Sequence, residues 1–361
     1  MWKFRQQMKC NYGWELRCRP ILVSIAWLAL VCLSCSEGKE EKGKVHPTAA
    51  SIGQPSEVVL VLDDAVLKSD LKDSLEALLT CNVPGLNQGE DYFRLSRIPA
   101  SMDQKEFLKM HSRVIARVDP SLKEPMLGIA RDVRATPQLQ IQLAGPSVDA
   151  LRPFISGHAE QVRQMLLDAQ LDNQTLYLVK HASVQVAKDL RATLGYTICA
   201  PEEIQFTKKG KDFLWGSSRT NEKQLNMVFY AIPYDGRDLR SPRVLAALRD
   251  SVMQANIPGS EPDQWMETVW DEGHPVVLVQ EYRAKEEMGA DSQFAPVLMR
   301  GLWQMRNGAM GGPFVSLFFV DEQHHNLVVA EGFVFSPQTT KRDLIRRLEA
   351  AIRTLSQKTL K

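Results

Sequence analysis

The sequence predicts an α+β fold with two similar halves, each a mainly antiparallel or mixed sheet covered by helices on one face. Three observations carry this. Short apolar runs such as Val58–Leu62, Leu225–Pro233 and Pro313–Val320 have strand lengths and end at charges or turn residues. Longer segments, Leu71–Leu79 and Thr340–Leu355 among them, repeat apolar residues every three or four positions, as helices with one buried stripe do. Finally, a helix carrying Asp73-Ser74 stops at Val83-Pro84-Gly85, and one carrying Asp250-Ser251 stops at Ile257-Pro258-Gly259. That correspondence points to an internal duplication, with one half at 57–195 and the other at 196–361, or both within one compact unit.

The elements follow in order. Val58–Leu62 is a buried strand that stops at Asp63-Asp64. Leu71, Leu75, Leu78 and Leu79 make one helical stripe, closed by the proline and glycine. Tyr92–Ile98 alternates as a strand, Asp103–Met110 is a short helix, and Ser112–Val118, Met126–Val133 and Gln138–Leu143 are strands. Ser147 caps a helix from Val148, which Gly157 separates from another at Ala159–Leu171. The second half offers strands near Tyr196–Ala200, Phe213–Ser217 and Leu225–Pro233. A helix over Ser241–Ala255 has Pro242 in its first turn. Strand Pro275–Tyr282, helix Phe294–Gln304, strands Pro313–Val320 and Leu327–Phe335 joined at Asp321–Asn326, and helix Thr340–Leu355 complete the chain.

The amino terminus is of a different kind. Lys3, Arg5, Lys9, Arg17 and Arg19 precede an apolar run from Ile21 to Leu33, with Ser34 and Cys35 after it. Those 13 residues fall short of the roughly 20 a spanning helix needs. A basic region, a short apolar core and a small residue before a cysteine describe a lipoprotein signal over 1–34, with Cys35 as the lipid attachment site; Met8 is an alternative start. Residues 35–56 are polar and nearly free of large apolar side chains, so they read as a flexible tether reaching about 25 Å. The expected location is the bacterial cell envelope, lipid-anchored at the outer membrane on its periplasmic or cell-surface face.

Charge and cysteines narrow the rest. The chain holds 44 basic and 43 acidic residues; without the five bases and one acid of the signal, 39 face 42, which gives no bulk attraction to nucleic acid. Of six cysteines only Cys81 and Cys199 lie in the folded part, and their apolar surroundings favour buried thiols over a disulfide. No HExxH, GxGxxG after a strand, P-loop, GxSxG or mature CxxC occurs. Hence no catalytic residue, metal ligand or cofactor is assigned. Asp63, Asp64, His274, His324 and His325 read as solvated or structural side chains.

The densest candidate region runs from Gly301 to Pro337. Trp303, Arg306, Asn307 and Met310 lead into Gly311-Gly312-Pro313 at a strand start, where two glycines permit close backbone approach. This is either a docking surface or a tight turn packed under Trp303. Glu331 sits in a strand apolar on both faces and needs a partner, for which Lys341, Arg342 and Arg306 are the candidates. On the last helix Leu344, Ile345, Leu348, Ala351, Ile352 and Leu355 form the buried stripe. Lys341, Arg342, Arg346, Arg347 and Arg353 form a basic outer surface, either merely solvated or facing anionic lipid or polysaccharide.

The signal ending LSC, the segments SEVVLVLDD and NVPGLNQGEDYFRLSRI, and above all LWQMRNGAMGGPFVSLFFVDEQHHNLVVAEGFVFSPQTTKRDLIRRLEAA resemble a domain-of-unknown-function family of Bacteroidetes envelope lipoproteins, over about Gly53 to Leu355. The resemblance implies an envelope lipoprotein of unassigned activity and carries no catalytic residues. The expected function is a ligand- or partner-binding module, not an enzyme, meeting the membrane through Cys35 and an envelope protein or glycan through its fold. The alternatives are a hydrolase acting on glycan, peptide or lipid with scattered carboxylates, and an assembly factor for outer-membrane proteins.

Overall fold

A computed structural model describes residues 49–86, 88–220, 223–282 and 295–357. The predicted signal, Cys35 and residues 36–48 of the predicted tether lie outside the described residues. The rest of it, 49–56, is not a free linker, because Ala50 bridges Thr136 and Ile52 bridges Met110 at the edge of the first half. No helix among those described is long and apolar enough to cross a membrane.

The first sheet contains β1 (Glu57–Leu62), β2 (Arg94–Pro99), β3 (Ser112–Val118), β4 (Met126–Arg131) and β5 (Leu139–Gly145) in the order β2-β1-β3-β5-β4. The first four in that order run parallel and β4 pairs antiparallel with β5. Three helices accompany it: α1 (Asp64–Leu67), α2 (Leu71–Thr80) and α3 (Val148–Lys180). Strand alternation sends Val58, Leu60 and Leu62 to one face, where Leu71, Leu75 and Leu79 of α2 and Leu151, Ile155 and Leu166 of α3 pack. Val59 and Val61 go to the other face, covered by Ile98, Met110 and Phe107.

The second half holds α4 (Val184–Leu194), β6 (Phe206–Gly210), β7 (Phe213–Ser217), β8 (Gln224–Pro233) and α5 (Pro242–Asn256). Then come β9 (Met266–Thr268), β10 (Trp270–Asp271), β11 (His274–Pro275), β12 (Val277–Glu281), β13 (Val297–Met305), β14 (Gly311–Asp321), β15 (Asn326–Phe335) and α6 (Arg342–Ile352). Its large sheet is antiparallel throughout, in the order β12-β13-β14-β15-β8-β7-β6, with β9 beside the far end of β13. β10 and β11 form a small separate ladder.

The α+β architecture and its two sheet-bearing halves agree with the sequence reading. The halves differ in strand order and direction, so the paired Pro-Gly helix endings do not extend to a shared topology. The single helical face holds for the first sheet only. On the second, Met227, Phe229, Val315, Leu317 and Ala330 meet α4 and α6, while Val228, Tyr230, Met299, Phe318 and Val329 meet Leu245, Leu248 and Met253 of α5. A sheet buried on both sides is why β14 and β15 read as continuous apolar runs.

Three elements depart from expectation. The segment read as helix Phe294–Gln304 is strand β13, paired with β12 on one side and β14 on the other; a short apolar run buried on both faces has no periodicity that separates the two states. Helix α3 passes through both Pro153 and Gly157 without a break. Gly157 has nothing within 4 Å of where a Cβ would stand, so its cost is only the roughly 1 kcal/mol of propensity, which the buried stripe Leu151, Ile155, Val162, Leu166 offsets. Residues 196–200 form no strand; they contribute an isolated bridge between Thr197 and Ser356.

Helix α3 spans about 50 Å at 1.5 Å per residue. Its first part packs on the first sheet, and Leu167, Leu171 and Leu178 enter the core of the second half beside Ile345, Leu348 and Ile352 of α6. The helix is therefore shared between both cores, and the seam between the halves runs along α3 and α6.

Candidate functional site

The predicted region around Trp303 divides when folded. Trp303 is 2% exposed, edge-on to Phe333 with ring centroids 5.4 Å apart, and its indole N–H donates to Val334 O. It belongs to the core. Gly312 and Pro313 are buried in β14, and a Cβ on Gly312 would stand 2.1 Å from Val334 O; close backbone approach, not a ligand, requires glycine there. Asn307 takes a left-handed turn (φ 52°) and its amide donates to Asp263 Oδ2 at 2.9 Å. Arg306 lies over the Trp265 ring, 3.6 Å from Glu267. Met310 lines a pocket of about 330 Å³ with Arg219, Thr220, Gln224 and Phe335.

Glu331 is wholly buried, as its strand required, but its partner is none of the three expected cations. Arg249 of α5 forks onto it, Nε to Oε2 at 2.8 Å and Nη2 to Oε1 at 2.7 Å, and Ser316 Oγ donates to Oε2 at 2.6 Å. Register explains the choice: Ser316 lies directly across from Glu331 on β14, and the face they share is the one α5 covers. Arg306, Lys341 and Arg342 sit elsewhere. Burial alone works to lower the Arg249 pKa, but Glu331 and Asp250 outweigh it and raise it. The guanidinium also lies 4.0 Å over the Phe314 ring.

Lys341 and Arg342 mark the site where the halves meet. Glu90 of the first half accepts from the backbone N–H of Lys341 (2.7 Å) and of Arg342 (2.9 Å), capping α6 from outside its own half. Lys341 Nζ donates to Gln88 Oε1, and Arg342 Nη1 to Asp91 O. The basic side of α6 is therefore not an outer surface. Lys341, Arg342 and Arg346 are 1%, 5% and 6% exposed, Arg347 pairs with Glu203, and Arg353 with Asp168. The sequence cannot distinguish a solvated basic face from one set against another part of the same chain.

Beside this contact lies a cavity of about 320 Å³ on the seam. The Ser51–Ser56 segment and His111 wall one side, α3 supplies Gln170, Asn173, Gln174 and Tyr177, and α6 supplies Asp343 and Arg346. Helical spacing puts the four α3 residues on one side of that helix. Ser56, held at φ 61°, donates its hydroxyl to Asp343 Oδ1 (2.6 Å) and accepts from Arg346 Nη1 (2.8 Å). His111 Nε2 donates to Gln54 O while its Nδ1 accepts from Ser112 Oγ, the neutral tautomer; burial lowers its pKa, against the opposite pull of the Gln54 carbonyl.

Two of the lining residues each carry a fully covered polar atom with no hydrogen-bond partner among the described residues: Nη2 of Arg346 and Oε1 of Gln170. Burial pushes Arg346 down to about 10, with Tyr92, Asp343 and Glu349 pulling the other way and Arg342 adding to the fall, so it stays charged at neutral pH. Most buried polar groups find a partner, and an unmade hydrogen bond costs about 1–3 kcal/mol. Pockets that hold small molecules set a few polar groups among their lining residues, and Arg346 and Gln170 are two such groups here.

Residues 51–176 match the family model described as a domain of unknown function (DUF8532), and residues 183–354 match that of a domain of unknown function (DUF4837). Two successive stretches of the chain are thus similar to uncharacterised domains. The DUF8532 match covers the first sheet and most of α3, and the DUF4837 match runs from the start of α4 to just past α6. No curated protein matches the chain. The cavity draws its walls from both domains, with Arg346 from the DUF4837 part and Gln170 from the DUF8532 part.

The sequence reading passed over Gln170, Ser56 and His111 and placed Arg346 on the wrong side. Only Arg346 left a signal, as an arginine one turn from Arg342 on a helix whose face had no stated neighbour. The other predicted groups have local roles. Asp63 caps α1, accepting from Val66 N–H, and also accepts from Val118 N–H; His324 Nδ1 pairs with Asp321. Cys81 and Cys199 are not joined; Cys199 is buried, and Arg163 donates to Cys81 Sγ. Among the described residues no group of three or more His, Cys, Asp or Glu is placed to hold a metal ion.

Proposed function

We propose that this chain is a lipid-anchored binding module of the bacterial cell envelope, tethered at the outer membrane through Cys35, with its ligand site in the seam cavity between Arg346 and Gln170. The tether reading rests on the sequence alone, on the basic region, the 13-residue apolar run and Ser34-Cys35. The observation that supports the binding reading is that two residues lining the cavity, Arg346 and Gln170, each keep a covered polar atom without a partner among the described residues. Its volume lies at the low end for small-molecule sites, which fits a compact ligand.

The hydrolase alternative draws less support. Acid–base cleavage of a glycoside uses two facing carboxylates, and Asp343 is the one carboxylate among the lining residues, already bound by Ser56 and Arg94. The assembly-factor alternative has one observation in its favour. Leu176, Tyr177, Val179 and Val184 are exposed around the end of α3, and exposed apolar side chains gathered in one place mark protein contacts.

Equilibrium dialysis of the detergent-solubilised full chain against an extract of the host cells, read by mass spectrometry, tests the binding reading. Selective retention of a small molecule supports it, and retention of none, with a protein partner recovered by crosslinking at Val184, favours the assembly factor. Metabolic labelling with an alkynyl fatty acid tests the anchor. The label enters the wild-type chain and is lost in Cys35→Ala; labelling that survives the substitution contradicts it.

A further inference from the structure

Among the described residues, four arginines at buried positions or facing buried carboxylates are paired, whereas buried Lys341 and Arg346 are not, Lys341 Nζ going to Gln88 Oε1 and Thr339 O. Arg249 forks onto Glu331, Arg113 onto Asp103, Arg300 onto Glu349, and Arg342 binds Asp343. Arg346 is as deeply buried as Arg342, yet makes no ion pair among the described residues. Its hydrogen bond goes to a neutral hydroxyl, Ser56 Oγ, and its guanidinium lies 4.8 Å over the Tyr92 ring and 5.3 Å over Phe93. The nearby Asp343 is committed to Ser56, Arg94 and Arg342. Arg346 lines the cavity with one guanidinium nitrogen unbonded and covered, and a guanidinium fork matches an oxyanion.

Gln170, which also lines the cavity, asks for the opposite group. Gln170 spends its amide N–H on Glu57 O, which leaves its carbonyl oxygen as an acceptor without a donor. Asn173, Gln174 and Tyr177 add neutral polar groups to the lining. We propose that the cavity takes a small organic acid that also bears hydroxyl or N–H groups, its carboxylate docking on Arg346 and one of its donors on Gln170. This rests on the reading of the cavity as a ligand site. A bare phosphate is disfavoured because Arg346 is the one lysine or arginine among the lining residues and the Asp343 carboxylate is bridged to it through Ser56, where a doubly charged group needs several cations. Small side-chain rotations of the wall on binding bring both orphan atoms into contact, as is ordinary at binding sites.

The test is calorimetric titration of the detergent-solubilised full chain with D-glucuronate, D-lactate and L-alanine. The controls are D-glucose, acetate and inorganic phosphate. At least one of the three acids is expected to bind roughly tenfold or more tightly than any control. Arg346→Met abolishes that preference, Arg346→Lys keeps part of it through the retained charge, and Gln170→Leu erases the advantage over acetate, all with melting temperatures near wild type. Binding of no acid, equal binding of glucose or phosphate, or acid binding unchanged in Arg346→Met overturns the proposal. If dialysis retains a neutral or phosphorylated compound while the acids fail, the binding module stands and only the acid class falls.

Discussion

Two buried arginines differ in what their removal leaves behind. Arg249→Met strands Glu331 in the core without a counter-charge, and breaking a buried pair in this way costs about 3–5 kcal/mol. Urea denaturation should show that loss, and Arg249→Met combined with Glu331→Leu should recover most of it, because both charges then go together. Of the single Glu331 variants, Gln is milder than Leu, since it still accepts from Ser316 and Arg249. Equal stability of Glu331→Gln and Glu331→Leu contradicts the network. Arg346→Met strands no carboxylate, so it should cost clearly less than Arg249→Met. Asp189 gives a pH signature. Burial raises its carboxyl, but Lys209, Thr207 and Gln185 outweigh burial and hold it at about 2 against an ordinary 3.8. Its folded pKa is depressed, so its contribution is complete above about pH 4 and is lost as pH falls toward 2. Asp189→Asn should therefore flatten the fall in melting temperature over that window; an unchanged slope contradicts the assignment.

At the scale of elements, close packing decides which substitutions the second sheet tolerates. A Cβ on Gly332 would stand 2.6 Å from Leu348 Cβ, where α6 crosses β15. Gly332→Ala should push the helix off the sheet and cost about 1–3 kcal/mol, the usual range for overpacking, whereas Gly157→Ala on exposed α3 should stabilise by up to about 1 kcal/mol. Thermal melts of the two variants moving in the same direction contradict this packing. The same elements show what the sequence could convey. β1, β14, β15, α5 and α6 were legible because each has a pattern of its own: an apolar run, an alternation or a capped stripe. β13 was not, because burial on both faces removes the alternation that separates strand from helix. The continuity of α3 through Gly157 was not, because it is set by packing on two cores rather than by propensity. Of the candidate site, the need of Glu331 for a partner was legible, but Arg249 lies 82 positions away in the chain and only the register of the sheet brings it near. Gln170 and Ser56 gave no signal at all, since an orphan atom is a property of the folded neighbourhood.

The whole molecule is joined by contacts that neither domain can complete alone. Glu90 caps α6 across the seam, Ser56 links Asp343 and Arg346, and α3 serves both cores. The two domains should therefore unfold in one transition, and Glu90→Ala should lower stability by about 0.5–2 kcal/mol, the range for loss of a helix cap. Calorimetry that resolves two well-separated transitions in the wild-type chain contradicts that coupling. A ligand in the seam touches both domains and should raise the single melting temperature by mass action. The most direct measurement is a crystal of the protein soaked with the tightest-binding acid of the titration set. The account predicts difference density in the seam cavity, with a carboxylate within hydrogen-bond distance of Arg346 and a donor group facing Gln170. Density elsewhere on the molecule, or an empty seam in a crystal where the acid is bound, would contradict it.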